Sequence, residues 1–334
     1  MLDDATLRAA APHALLRTDL HLGTRDEGKV RDSYRLPGRR VLVATDRISA
    51  FDRVIGAIPF KGQVLNQLSA WWFTQTADVV ANHVIAVPDP NVTLAHEAIP
   101  LPVEVVVRGY LTGVTSTSLW TLYSQGISKP YGLDLPPGLE KDCRLPEPVI
   151  TPTTKAEKGA HDARLTSAEV VAHGLVDAAL WAEVERVALA LFARGTALAA
   201  RAGLILVDTK YEFGLVDGRL TVIDEVHTPD SSRYWEAAAW PAEVRELDKE
   251  YVRKWLKSVH YTGDGPTPPL PEDVVVEAAR RYITAYERLT GETFVPGGQP
   301  AADRIAAALQ TVQKTTQQTT QQTTQQTAQQ PGRS

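Results

Sequence analysis

LILVDTKYEFGLVDGRLTVIDEVHTPDSSRYW, residues 204–235, is the stretch whose reading decides the fold. LILVDTKYEFGL opens with four apolar residues and then alternates, the pattern of a strand that begins fully buried and ends half-buried. Every second side chain of a strand shares a face, so Asp208, Lys210 and Glu212 line up, while Val207, Thr209, Tyr211 and Phe213 point the other way. RLTVIDEVHT comes after Val216-Asp217-Gly218, and the two segments read as a hairpin.

Loop length decides which carboxylates meet. A two-residue Asp217-Gly218 turn pairs odd-numbered residues with even ones and sends Asp224 to the face opposite Glu212. A three-residue loop places Gly218 at the left-handed bulge position, pairs even with even, and brings Asp224 to the face of Asp208, Lys210 and Glu212. The three-residue loop is the favoured expectation. Such a concentration of carboxylates around one ammonium is costly to bury unpartnered. A divalent cation would offset the cost, and oxygen-only ligands suit magnesium rather than zinc. Ordinary ion pairs on a solvated sheet face would satisfy the same pattern.

The 334-residue chain, 43% apolar and 22% charged, has an ordinary globular composition and room for two lobes. A formal net charge of −5 leaves no basic excess for a phosphate backbone, which argues against a general nucleic-acid binder. One cysteine, Cys143, excludes an internal disulfide framework and suits a reducing cytoplasm. No run approaches the ~20 apolar residues of a membrane span, and the N-terminal MLDDATLRAAAPHALLRTDL is acidic early rather than signal-like. The expectation is a cytoplasmic protein with neither membrane nor nucleic-acid partner.

Upstream of the hairpin, GKVRDSYRL sets Lys29 and Arg31 on one strand face, where two cations could meet an anion and Gly28 would let the backbone approach closely. A solvated edge strand fits the same residues. VLVAT is a buried strand, and KGQVLNQLSAWWFTQTAD is a helix with Val64, Leu65, Leu68, Trp71 and Trp72 on its apolar face. VEVVV is continuous and β-branched, hence a central strand, and Arg108 at its end beside Gly109 suits a phosphate or carboxylate. Residues 130–152 read as a long loop that opens into TPTTKAEKGAHD, with Lys155, Glu157, Lys158, His161 and Asp162 close together. Thr166 and Glu169 form a capping box, and a long helix starts near Asp177 and stops at Gly203. After the hairpin, Asp230, Ser231, Ser232 and Arg233 share a turn. Two helices and an amphipathic segment then lead to a Thr/Gln-rich tail that lacks an apolar face and reads as a disordered extension.

Taken together these residues describe an α/β or α+β enzyme for strongly anionic substrates, with magnesium. Phosphoryl transfer from a nucleotide needs cations such as Lys29, Arg31, Arg108, Lys155, Lys210 and Arg233 together with carboxylates such as Glu212 and Asp224. HRD and DFG signatures of protein kinases are absent.

GKVRDSY, ATDRISAFD, KGQVLNQLS, VEVVVRGYLTG, TPTTKAEKGAHD, LILVDTKYEFGL and IDEVHTPDSSRYW, in this order, resemble the SAICAR synthetase family over about residues 22 to 260. The resemblance implies a ligase that joins L-aspartate to a carboxylated aminoimidazole ribotide at the expense of ATP in purine biosynthesis. It implies an α+β (α/β) fold of two lobes with ATP between them: a β-rich N-terminal lobe, residues 1–105, and a larger α/β lobe, residues 106–312, with the tail at 313–334 outside. Carried over, Gly28, Lys29 and Arg31 would meet the ATP phosphates, and Glu212 and Asp224 would hold magnesium. Arg108, Ser232 and Arg233 would bind the ribotide with Lys210 near its carboxylate, and Lys155 and Asp162 would belong to the acceptor loop. Val114 stands where many relatives have a phosphate-binding serine, so that contact does not transfer, although Thr115 or Ser116 could replace it.

Overall fold

Runs of β-branched residues broken by Gly and Asp turns build two sheets, and amphipathic helices cover them. The computed structural model describes residues 2–115, 117–155 and 163–310. Asp162, Ser116 and the Thr/Gln tail lie outside these residues.

Helix α1 (Asp4–Ala10) precedes β1 (Arg25–Glu27), β2 (Arg31–Leu36) and β3 (Arg39–Ala44), then the separate hairpin β4 (Arg47–Ala50) and β5 (Arg53–Ala57). Helix α2 (Lys61–Gln75) and the short β6 (Ala81–Asn82) lead into β7 (Val84–Asp89) and β8 (Val92–His96), which complete a five-stranded sheet in the order β1-β2-β3-β8-β7. The Lys29–Arg31 segment therefore leads into an interior strand, β2, not an edge strand. Val41, Val43, Val92 and Leu94 of this sheet form a core with Ile305 and Leu309 of a helix at 301–310.

The larger sheet has β9 (Ile99–Tyr110) between β10 (Arg144–Thr154) and β11 (Leu204–Val216), with β12 (Arg219–Ile223) and β6 beyond, and β13 (Ser232–Glu236) also pairing β11. VEVVV is thus central, as its composition predicts. Apart from β6, which belongs to the larger sheet, the change from one sheet to the other falls between His96 and Ile99, and the boundary expected at 105–106 lies inside β9. Part of the expected 130–152 loop is a strand: Arg144–Thr154 pairs with β9 despite Pro146, Pro148 and Pro152, because an edge strand tolerates missing donors and its pairing is interrupted between Arg144 and Val149.

Between the sheet's strands run α3 (Leu119–Ser124), α4 (Ser167–Ala172) and α5 (Ala178–Arg201), and later α6 (Glu250–Ser258) and α7 (Glu272–Thr290). Thr166 and Glu169 cap α4 reciprocally and Asp177 caps α5, as the sequence signals indicate, and Gly291 ends α7 in the left-handed conformation. Val184, Val187 and Leu191 of α5 pack with Val103, Val105 and Val107 of β9 and with Tyr211 and Phe213 of β11 in the main core. No helix among the described residues is long and apolar enough to cross a membrane.

Candidate active site

The organising hairpin departs from its expected register. Val216 pairs with Arg219 and Glu212 with Ile223, so the connection is the two-residue Asp217-Gly218 turn, not the three-residue loop. Both turn residues have positive φ, 50° and 75°, the backbone of the tight turns that match strand twist. An Asp-Gly pair supplies that conformation cheaply, and this outweighs the charge clustering that favours the longer loop.

The carboxylates nevertheless gather, by another device. Strand β12 ends at Ile223, and Asp224 takes φ 66°, a left-handed conformation that Asp tolerates better than most residues and that breaks strand alternation. Its carboxylate receives a hydrogen bond from Arg31 Nη1, and its negative field contributes to raising the pKa of Lys210. Strand β11 contributes a second irregularity. Leu204 and Leu206 enter the same core as Tyr211 and Phe213 although their numbers differ in parity, and the pairing with β13 shifts between Leu206 and Asp208. Val207 instead packs with Tyr110 and Trp235, contrary to the simple alternation. A bulge here re-aims the next side chains of the strand, leaving Lys210 and Glu212 partly exposed while Thr209 and Tyr211 are buried.

Three charged nodes result. At the first, Arg31 pairs with Asp224 and, at 2.6 Å, with Glu225. Burial alone would lower the pKa of Arg31, but the two carboxylates raise it above the ordinary value. Burial pushes the Glu225 carboxyl up. At the second node, Lys210 donates to Glu104 at 2.6 Å and Glu212 at 2.8 Å, and Lys155 donates to the other Glu212 oxygen. Burial opposes charge on both sides, yet Glu212 and Glu104 raise Lys210, while Lys210 and Lys155 hold Glu212 well below the usual carboxylate range. Both ionise, so this edge stays charged at neutral pH. At the third node, the buried Asp208 accepts from Arg108 Nη1 at 3.2 Å and from Arg233 Nη1. Arg108 also donates to Thr151 Oγ1 at 2.8 Å, and Arg233 lies 3.7 Å from Glu250.

Of the expected residues, Arg31, Arg108, Lys155, Lys210, Glu212, Asp224 and Arg233 thus meet along β11 and its flanks. Ser232 is buried, and its hydroxyl donates to Thr209 at 2.8 Å, next to the arginine pair. Lys29 stands apart on the turn before β2 and pairs with the exposed Asp52 at 2.5 Å. Gly28 precedes it, and a Cβ there would sit 3.1 Å from the Arg31 carbonyl oxygen. Asp208 is a carboxylate of the face read from the sequence, whereas Glu104 and Glu225 are partners that residue typing alone does not single out. Glu104 has a signal, as the one charged side chain inside VEVVV. The oxygen donor set suits magnesium, which takes one or two carboxylates and completes its shell with phosphate oxygens and water. Among the described residues no three His, Cys, Asp or Glu side chains are grouped so that they could hold a metal ion by themselves.

The sequence profile of the SAICAR synthetase family matches residues 24–268, most of the chain. The chain belongs to the SAICAR synthetase family. A phosphoribosylaminoimidazole-succinocarboxamide synthase of Legionella pneumophila is 47% identical over 311 residues, which cover 90% of this chain and 98% of that protein. The chloroplastic synthase of Arabidopsis thaliana is 45% identical over 302 residues, 87% of this chain and 73% of its own length. Among solved structures, the SAICAR synthase of Saccharomyces cerevisiae complexed with SAICAR superposes with a TM-score of 0.75 at 32% identity, covering 85% of this chain and all of that one. Membership makes this chain an enzyme, a ligase of purine biosynthesis with the family's two-lobed α+β fold.

Proposed function

We propose that the enzyme uses ATP to join L-aspartate to the carboxylate of an aminoimidazole ribotide, giving SAICAR, ADP and phosphate. The observation that carries this reading is the spacing of opposite functions along β11. Asp208, where Arg108 of β9 and Arg233 of β13 meet, and Glu212 lie on one strand, on the order of 13 Å apart at strand rise. That span suits a phosphate at one end of a ribotide and a reacting carboxylate toward the other.

A carboxylate acylates poorly because oxide is a very poor leaving group. Phosphorylation changes that: a carboxylate oxygen attacks the γ-phosphorus of ATP and ADP leaves. The amine of aspartate then attacks the acyl carbon and phosphate departs with the original carboxylate oxygen. Arg108, Arg233 and Ser232 would hold the anionic ends of the ribotide, and Lys210 would steady its carboxylate. Gly28, Lys29 and Arg31 would face the nucleotide phosphates. Glu212 and Asp224 would hold magnesium together with those phosphates, and the bound ion would neutralise charge at the transferring group. Lys155, half-exposed and paired with Glu212, and Asp162 belong in this reading to the aspartate-accepting loop. The protein supplies position and charge rather than a covalent nucleophile. The single cysteine agrees with a reducing cytoplasm.

With Mg-ATP, the carboxylated ribotide and L-aspartate, phosphate release should require all three substrates together. Full-rate release without aspartate would replace the ligase by a kinase or an ATPase.

A further inference from the structure

The segment Thr45–Arg47 grips every carbonyl of the Gly28–Val30 turn. Thr45 donates twice to the Val30 carbonyl, from its amide at 3.0 Å and its hydroxyl at 2.8 Å. Arg47 donates from Nε to the Lys29 carbonyl at 3.1 Å and from Nη2 to the Gly28 carbonyl at 3.0 Å. The guanidinium is itself anchored, to Asp32 Oδ1 at 2.9 Å and to the Leu16 carbonyl. Asp32 is fully buried, and its other oxygen accepts from the Thr18 amide at 2.7 Å and the Thr18 hydroxyl at 2.8 Å. Burial would raise this carboxyl, but the bonds from Thr18 and Arg47 bring it below its ordinary value. The anchor therefore stays ionised.

A planar trans peptide sets each N–H opposite the preceding C=O. Drawing the Gly28 and Lys29 carbonyls toward Arg47 thus turns the amides of Lys29 and Val30 away from it. Neither amide has a protein partner among the described residues. Successive outward amides make an anion-binding concavity, and the half-exposed Lys29 ammonium adds positive charge to the same turn.

We propose that Arg47 and Thr45 are positioning residues that hold this turn in the shape that receives nucleotide phosphates. The inference rests on the reading above, in which the turn meets ATP. Neither side chain touches the nucleotide; each acts by fixing backbone carbonyls, so that no ordering is left to do when phosphate arrives.

Thr45 is fully buried, so Thr45→Val keeps its shape and removes only the hydroxyl bond. In the full-length enzyme, Thr45→Val should raise the Kd for ADP, read by calorimetry, and the KM for ATP by about tenfold, with the KM values for aspartate and ribotide unchanged. Thr45→Ser, which restores the hydroxyl, should return both to near the parent values. Arg47→Lys should raise them further, because an ammonium cannot span two carbonyls as a fork does. If Arg47→Lys does not fold, the Thr45 pair still decides. Parent-like nucleotide binding in Thr45→Val, or equal impairment in Thr45→Ser, would overturn the proposal, as would a uniform rise in all three KM values. Lys29→Ala separates the two layers. If it leaves ADP affinity unchanged, the nucleotide reading of the turn fails and the proposal falls with it. If it weakens ADP while Thr45→Val does not, the positioning role alone is wrong.

Discussion

Lys61→Met tests whether the loop that carries the site is held by a buried ion pair. Lys61, on α2, is fully buried and donates to Asp230 Oδ2 at 2.7 Å, while Tyr282 of α7 donates to Oδ1 at 2.6 Å. Asp230 lies between Asp224 and Arg233, so the pair ties the site loop to two helices. Burial pushes the Asp230 carboxyl up, but Lys61, helped by Lys249 and the Tyr282 hydroxyl, outweighs it and the pKa falls from 3.8 to about 2. A depressed carboxyl stabilises the fold above its unfolded pKa, and the contribution fades as pH falls from near 4 toward 2. A shift of this size is linked to about 2 kcal/mol. Removing the ammonium costs more, because it leaves a buried carboxylate that keeps only the Tyr282 bond: about 3–5 kcal/mol at pH 7. Without Lys61 the desolvation is opposed only by Lys249 and the Tyr282 bond and pushes the carboxyl up, so protonation relieves the variant as the pH drops. Equilibrium urea unfolding at pH 7 and pH 5 should show the gap to the parent protein narrowing at the lower pH. Adding Asp230→Asn should recover most of the loss, since an amide is cheaper to bury than an unpaired carboxylate. A loss under about 1 kcal/mol at pH 7, or the same loss at both pH values, would refute the reasoning.

The site itself yields three further outcomes. Glu212→Gln and Asp224→Asn should each lower turnover by roughly a hundredfold or more, since each removes charge stabilisation at the transferring phosphoryl group; steady-state kcat near the parent value in both would refute the metal assignment. Arg108→Ala should mainly raise the KM for the ribotide, because a remote phosphate is held about equally in ground and transition states; a pure kcat loss would move Arg108 to the reacting end. Gly218→Val should destabilise by on the order of 1 kcal/mol in urea unfolding: Gly218 has φ 75° and open space around it, so the cost comes from backbone strain alone, and an unchanged midpoint would show the turn can rearrange.

The strands and helix ends are largely legible in the sequence because their signals are local. The β-branched run of β9, the Asp177 cap and Gly291 each act over a few residues. The hairpin register is not legible from charge clustering, because turn chemistry competes with it and prevails at Asp217-Gly218. Charges at Lys210, Glu212 and Asp224 do converge, but through a bulge near Val207 and a left-handed Asp224, neither of which leaves a periodic trace in sequence. Arg144–Thr154 looks like a loop because its prolines signal a break, while edge position is a property of the sheet. Glu104 and Glu225 become site residues only when distant segments place cations beside them.

The most direct test of the central claim tracks oxygen. With the ribotide carboxylate labelled with heavy oxygen, single-turnover reaction with Mg-ATP and L-aspartate should release inorganic phosphate carrying one labelled oxygen for each SAICAR formed, because ATP is spent on that carboxylate. Unlabelled phosphate accompanying SAICAR would contradict the account.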